Sequence, residues 1–288
     1  MDSTDLQNMM LQKVAGMPNK AKRVTEYLLS NMREAAFRPI GEVADELSVS
    51  KAQLVRVARL LGFSGYADLK SRFQNVILEQ INPAAMLSKA VNMKDELPQK
   101  ILQTEHANID DTWTQYDQGK MLTFCQMAKE AKSIVCIGWG ISSLVMELAY
   151  NRFCVMGIPT SLMKRGSLSL VEQARFVRPD SLMLVCEMPS YAIDVTEAIE
   201  EGKKRGAKIV TITDSPAAPV CRYADLSFHV SAASPTFGCS VIGPIFLVHL
   251  LTSSLVVHLG DTAKNALEKQ AEYLHDERFY HKTFGLKY

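Results

Sequence analysis

The sequence predicts an α + α/β fold class, an all-helical N-terminal domain followed by a parallel-sheet α/β sandwich. Three observations point there. Up to about residue 78 the apolar residues recur only at helical spacing. Beyond about residue 100, β-branched runs alternate with helical segments, the pattern of a parallel sheet flanked by helices. The 288 residues, at roughly 150 per domain, suit two domains. The expected boundaries are 1–80 for the helical domain, 81–108 for a linker and 109–288 for the α/β domain. With 32 Lys+Arg against 31 Asp+Glu, 47% apolar residues and 22% charged, the composition excludes a largely disordered chain and a polycationic nucleic-acid coat.

Within the first domain, Ala21–Met32 sets Val24, Tyr27, Leu28 and Met32 on one helical face. A short helix follows Pro39, a residue favoured at helix starts, with Ile40, Val43, Ala44 and Leu47 facing inward. Ser50 is placed to cap a third helix, Lys51–Leu61, which Gly62 terminates. Leu54, Val57 or Ala58, and Leu61 form its apolar face. Tyr66, Leu69, Phe73 and Ile77 mark a further helix over 66–80, and Pro83 and Pro98 place the domain boundary within 81–98.

In the second domain, helices Ile101–Gln115 and Lys120–Lys132 precede SIVCIGWG, a β-branched run that reads as a buried parallel strand. The helix Ser142–Met156 follows. Ile158–Met163, Ser181–Glu187, Lys208–Thr213 and Leu226–Val230 are the remaining strands, and Asp194–Arg205 is a helix ended by Gly206. Ligands in such sheets bind at the carboxyl ends of the strands. Those ends are Gly138–Ser143, Met163–Ser169, Glu187–Tyr191 and Thr213–Pro216. Val241–Leu259 carries no formally charged residue and is long enough to cross a bilayer. Its two histidines, its Ser and Thr hydroxyls and its early proline suit a buried core or dimer-interface helix instead, so no membrane partner is expected.

Two helices joined by Ser48-Val49-Ser50 fit a helix-turn-helix with Lys51–Leu61 as the recognition helix. Its polar face offers Lys51, Gln53 and Arg56, with Arg59 toward the rim. Across Lys51–Arg72 the basic residues Lys51, Arg56, Arg59, Lys70 and Arg72 are opposed by Asp68 alone. That excess suits phosphate contact, while Gln53 and Arg56 have the reach and donor geometry for base edges. A small helical bundle with a solvated basic face fits the same pattern.

The run from Ser50 to Tyr66, SKAQLVRVARLLGFSGY, resembles the signature of the RpiR family of bacterial transcription regulators, whose helix ends in R-x-x-R-x-L-G-F-x-G-aromatic. Ile40-Gly41-Glu42-Val43-Ala44 resembles that family's first motif helix. The resemblance implies a double-stranded DNA operator as partner. Arg56 and Gln53 would contact bases, Lys51, Arg59 and Lys70 would contact phosphates, and Ser50 would complete the DNA-binding set at the helix start. Gln53 stands where a threonine is usual and Val57 where an aromatic is usual.

Gly138-Trp139-Gly140-Ile141-Ser142-Ser143 joins a strand to a helix, and its glycines, N–H groups and hydroxyls can hold an anion. A dinucleotide site would want a third glycine and an acid about 20 positions on. Position 143 is Ser and the nearest acid is Glu147, so no cofactor is expected. The arrangement resembles a sugar isomerase (SIS) domain, with which RpiR regulators generally pair their helix-turn-helix. The resemblance therefore spans nearly the whole chain and implies a small-molecule effector, a sugar phosphate or related carbohydrate derivative, gating DNA binding in a homo-oligomer, dimer or tetramer. Gly138, Gly140, Ser142, Ser143, Arg165, Glu187 and Ser190 are the expected ligand-binding set, Ser142 matching the serine that helps hold a sugar phosphate. The family's S-x-S-G-x-T run is replaced by Glu187-Met188-Pro189-Ser190-Tyr191-Ala192. Pro189 removes an N–H donor, and Glu187 brings a carboxylate toward an anion site. Lys164 and Arg165 are placed either to pair with Glu187 or to contact the anion. The altered loop leaves two readings, a pocket that takes something other than an ordinary phosphosugar or holds its phosphate in a shifted pose, and a pocket kept only as a dimerisation scaffold.

No nucleophile elbow and no H-E-x-x-H is present, so no catalytic and no metal-binding residues are assigned and the chain is not read as an enzyme. The alternative is an SIS-type sugar-phosphate isomerase with Glu187 as proton-shuttling base. The histidines His106, His229, His249, His258, His275 and His281 read as core or interface residues. Trp139 either stacks on a ligand or packs in the core. Cys125, Cys136, Cys154, Cys186, Cys221 and Cys239 show no C-x-x-C spacing and read as reduced, buried thiols. With no signal-peptide pattern at the N-terminus, the expected location is cytoplasmic.

Overall fold

The computed structural model describes residues 3–274 apart from Ala15 and Met93. His275 and His281 lie outside the described residues. The chain divides into two compact units, the first made of Met1–Pro98 with the short segments Ser215–Ala217 and Pro235–Gly238, the second of the remainder.

The first unit is helical: α1 (Ser3–Val14), α2 (Asn19–Ser30), α3 (Met32–Phe37), α4 (Ile40–Glu46), α5 (Lys51–Leu60), α6 (Tyr66–Ile81) and α7 (Pro83–Asn92). Its core gathers Leu6, Met10, Leu28, Val43, Leu54, Leu61, Leu69 and Phe73, the inward positions of helical spacing on five helices and one helix cap. The single helix expected over Ala21–Met32 is broken at Asn31. There both the backbone N–H and the side-chain amide of Asn31 donate to Tyr27 O, at 2.8 and 3.0 Å, so the side chain competes for a carbonyl the helix would otherwise use. The stretch expected as a linker, 81–108, holds α7 and the first part of the next helix, α8 (Leu97–Thr114).

The second unit continues with α9 (Gln118–Glu130), β1 (Ser133–Gly138), α10 (Ser142–Val155), β2 (Thr160–Met163), α11 (Leu170–Ala174), β3 (Ser181–Glu187), α12 (Ile193–Lys204), β4 (Lys208–Thr213), β5 (Leu226–His229), α13 (Ile242–Leu259) and α14 (Asp261–Leu274). The strands pair in parallel in the order β2-β1-β3-β4-β5. Both faces are covered, and the strands alternate between them. Leu182, Leu184 and Cys186 of β3 enter one core with Phe124, Phe153, Leu251 and Leu255, while Met183 and Val185 enter the other with Val195, Ile199 and Leu170. Burial on both faces is why these strands read as continuous apolar runs. α13 is long and apolar enough to cross a membrane, but it buries Gly243, Pro244, Leu247, Val248, Leu251, Thr252 and Leu255 within the unit.

A buried amide fastens α8 to the segment between β5 and α13. Asn108 donates from Nδ2 to Ala233 O at 2.9 Å, and its Oδ1 accepts from Ala233 N at 2.9 Å and from the Ser231 hydroxyl at 2.9 Å. Thr112 Oγ1 accepts from Ser231 N at 3.0 Å, and the Ser240 hydroxyl donates to Glu105 at 2.6 Å. Gly243 is required beside this seam, because a Cβ there would meet Ser231 O at 2.1 Å. Asn108→Ala removes a buried amide and its hydrogen bonds to Ser231 and Ala233, so a loss of about 1–2 kcal/mol is expected in urea unfolding; a loss below about 0.5 kcal/mol would contradict the seam's structural role.

Candidate functional site

α4 and α5 form the helix-turn-helix. Val49 N donates to Ala44 O at 2.9 Å, and Ser48 takes the left-handed conformation (φ 53) that closes the turn. Ser50 caps α5 as expected, and the cap is reciprocal: Gln53 N donates to Ser50 Oγ at 3.2 Å while Ser50 N donates to Gln53 Oε1 at 2.9 Å. The spacing Ser-x-x-Gln was the signal for this box. It alters what Gln53 can offer DNA. Bidentate reading of adenine needs the amide oxygen as well as the nitrogen, and here the oxygen is engaged by the cap, leaving only the N–H donors.

Lys51 and Arg56 are exposed and, among the described residues, carry no hydrogen bond or ion pair. Lys51 lies over Gly41, where a Cβ would meet its Cε at 3.2 Å. Arg59 donates from Nε to Ser64 O at 3.3 Å. Lys70 is half-buried and donates to Arg38 O at 2.8 Å, so its ammonium ties α6 to the end of α3. The sequence reading passed over Arg38. Its guanidinium pairs with Glu34 at 3.6 Å, Glu42 at 3.4 Å and Glu46, gathering three carboxylates around one cation. The Glu34-Arg38-Glu42 spacing of four residues marked it. These contacts hold Glu46 below the ordinary carboxylate range, chiefly through the Arg38 hydrogen bond.

In the second unit, the carboxyl ends of β1, β3 and β4 lie side by side, with Gly138 opposite Cys186 and Glu187 opposite Thr213. Gly138 lets β1 run directly into α10, since a Cβ there would meet Ser142 O at 2.7 Å. Gly140 turns the loop at φ 57. Ser143 donates from Oγ to Gly140 O at 2.7 Å, while Ser142 is buried beside Cys186. Burial pushes the Cys186 thiol up to about 12, which leaves it without thiolate character. Trp139 is 45% exposed, which removes the core-packing reading, and the Arg165 guanidinium sits 5.8 Å from its ring centroid.

Neither Lys164 nor Arg165 pairs with Glu187. Lys164 Nζ lies 3.2 Å from Glu147, and Arg165 Nε lies 2.9 Å from Asp194, at the start of α12. Asp214 accepts from the Tyr191 hydroxyl at 2.8 Å. Glu187 itself is 3% exposed, and neither carboxyl oxygen has a hydrogen-bond partner among the described residues. Its carboxyl is pushed up to about 8 by burial, reinforced by Asp194 and Asp214; the nearby Ala192 N–H pulls the other way without completing a hydrogen bond. In the loop beyond, Ser190 is exposed with φ 100 and Tyr191 has φ 31, both in the left-handed region.

Two expectations need correction. Of the cysteines, Cys125, Cys136 and Cys186 are buried, whereas Cys154 is exposed and Cys221 and Cys239 are half-buried; all six are free. His106 and His249 are exposed, His249 lying 3.4 Å from Arg152, so neither is a core residue.

Residues 4–80 match the helix-turn-helix domain of the rpiR family, and residues 127–258 match the SIS domain. A helix-turn-helix domain joined to an SIS domain defines a class of transcription regulator, and this chain belongs to the RpiR family. The HTH-type transcriptional regulator RpiR of Escherichia coli K12 is 26% identical over 219 residues, covering 74% of this chain and 72% of that one. An HTH-type transcriptional regulator of Haemophilus influenzae is 24% identical over 266 residues, covering 89% and 92%. Among solved structures, Vibrio vulnificus NanR complexed with ManNAc-6P shares the fold at TM-score 0.61 and 21% identity, covering 93% of this chain and 97% of that one. The sugar isomerase domain of an RpiR transcription factor from Sphaerobacter thermophilus gives 0.59 and 22%, covering 62% and 99%.

Two measurements check this geometry. Ser50→Ala removes the cap and is expected to lower stability by about 1 kcal/mol in urea titration; an unchanged midpoint would refute the capping box. For Glu187, the unfolded carboxyl titrates near its ordinary value of 4.5 and the folded one near 8. Between those values the folded state holds the extra proton, so this group makes stability fall as pH rises, by up to about 1.4 kcal/mol per unit. Glu187→Gln should flatten that decline between about pH 5 and 8 and raise stability at its upper end. Parallel pH profiles for the two proteins would show that Glu187 titrates normally.

Proposed function

We propose that this chain is a ligand-gated transcription regulator that binds a double-stranded DNA operator as a homo-oligomer, dimer or tetramer, in the cytoplasm. Paired recognition helices α5 would read two half-sites, and a small carbohydrate derivative at the carboxyl ends of β1 and β3 would shift the balance between DNA-competent and incompetent states. The observation that carries the reading is the capped, exposed start of α5, with Lys51 and Arg56 uncommitted. In this reading Arg56 contacts a base edge and Gln53 adds an amide donor. Lys51 and Arg59 sit on phosphates, with Ser50 orienting the helix and Lys70 bracing it.

Gly138, Gly140, Ser142, Ser143, Arg165, Glu187 and Ser190 form the proposed effector site. The complex of NanR with ManNAc-6P supports a carbohydrate derivative as the class. Turnover is not part of the proposal. The matching relatives are named as transcriptional regulators, which supports regulation as the role of this chain.

Selection of genomic fragments by the full-length protein at physiological salt tests the regulator reading. Enrichment of a discrete two-fold-symmetric site is expected. Arg56→Ala should weaken binding to that site by about 1–3 kcal/mol and relax preference at one position; wild-type affinity and preference in the variant would remove Arg56 from base contact.

A further inference from the structure

Among the described residues, Glu187 is the only acidic or basic side chain in the fully buried set. It closes no helix cap and joins no ion pair, and both its oxygens are unpartnered. Leaving a buried polar group unpaired is costly, so such a group in a native structure needs an explanation. Its position supplies one. Glu187 ends β3 between the Gly138–Ser143 loop and the Thr213-Asp214 end of β4, the edge of a parallel sheet where ligands enter.

The charges around it decide what ligand group it suits. Asp194 and Asp214 both act on Glu187, adding negative potential to the same edge. The neighbouring cations are engaged, Arg165 with Asp194 and Lys164 with Glu147. Pro189 offers no N–H, and Ser143 spends its hydroxyl proton on Gly140 O. A phosphate dianion against Glu187 would meet a carboxyl with committed cations beside it. An ammonium group would favour the ionised carboxylate, whose two oxygens have no partner within the protein, and the pair would cancel each other's charge in a dry setting.

We infer that Glu187, flanked by Asp194 and Asp214 at the carboxyl end of β3, is the anchor for a primary ammonium group of the effector, which is therefore an amine-bearing carbohydrate derivative. The inference rests on the reading of this domain as an effector site, and it assigns Glu187 the role of specificity determinant within it.

The test is calorimetry on the full-length protein at neutral pH with three probes at up to millimolar concentration: glucosamine, N-acetylglucosamine and glucose 6-phosphate. Glucosamine is expected to bind at least about tenfold more tightly than N-acetylglucosamine, which lacks the ammonium. Glu187→Gln keeps the shape and hydrogen-bonding capacity, and is expected to lose that preference while remaining folded. Glu187→Ser, which supplies a hydroxyl, is expected to favour glucose 6-phosphate. Tighter binding of glucose 6-phosphate by the wild type, equal binding of the two amino-sugar probes, a glucosamine affinity unaffected by Glu187→Gln, or no heat from any probe would each overturn the inference. Fragment selection on the same preparation separates the two failures. An operator recovered without glucosamine binding sinks the ammonium site alone, whereas no operator sinks the regulator reading.

Discussion

A parallel sheet buried on both faces constrains everything in the second unit. Its inner strands must be apolar on both sides, so polar chemistry is driven to the strand ends, and parallel pairing brings the ends of β1, β3 and β4 to one edge. Three loops distant in sequence then meet there. Gly138 makes the meeting tight, because the backbone of Ser142 occupies the place where a side chain would be. The same demand explains why Glu187 stands out. It continues the alternation of β3 into the core that takes Met183 and Val185, at a place where an apolar residue would pack without penalty.

Stability and recognition pull against each other at this carboxyl. Desolvation and two neighbouring carboxyls raise its proton affinity, so it is held largely as the neutral acid at physiological pH. A neutral acid is tolerable in a folded core. A ligand that brings positive charge converts the same group into a paired ion, and the unfavourable burial of the free protein becomes part of the selectivity for that ligand. The strained backbone at Ser190 and Tyr191 sits in the same loop, and Tyr191 is held by its hydroxyl on Asp214.

In the first unit the opposing demands fall on α5. Its first turn must be capped to leave few orphan N–H groups, and it must also present side chains outward. Ser50 and Gln53 meet the first demand together, which takes half of Gln53's hydrogen-bonding capacity away from the second. Arg56, one turn further on, escapes that competition. Arg38 and Lys70 work behind the helix pair, drawing Glu34, Glu42 and Glu46 together and pinning α6 to the end of α3.

Much of this architecture was legible in the residues alone. Helical spacing at Val24, Leu28, Leu54, Leu69 and Phe73, the β-branched runs at Ser133–Gly138 and Lys208–Thr213, and the Ser50 cap are local signals, and local periodicity and capping survive folding unchanged. The ordered run from Arg56 to Tyr66 carried the family. Partners of charged side chains were not legible: Lys164 and Arg165 stood close to the strand ends in sequence, yet they pair with Glu147 and Asp194 and leave Glu187 alone. Nor was the Asn108 seam, which joins positions more than 120 residues apart. By itself the sequence determined the five strands, the helix pair α4 and α5, where α5 begins and which edge of the sheet is polar, because these follow from neighbours along the chain, whereas α1, α7, α11 and α14 were not read from it. The tertiary structure alone decided which charges are spent and which carboxyl stays buried without a partner, because pairing depends on distances through space.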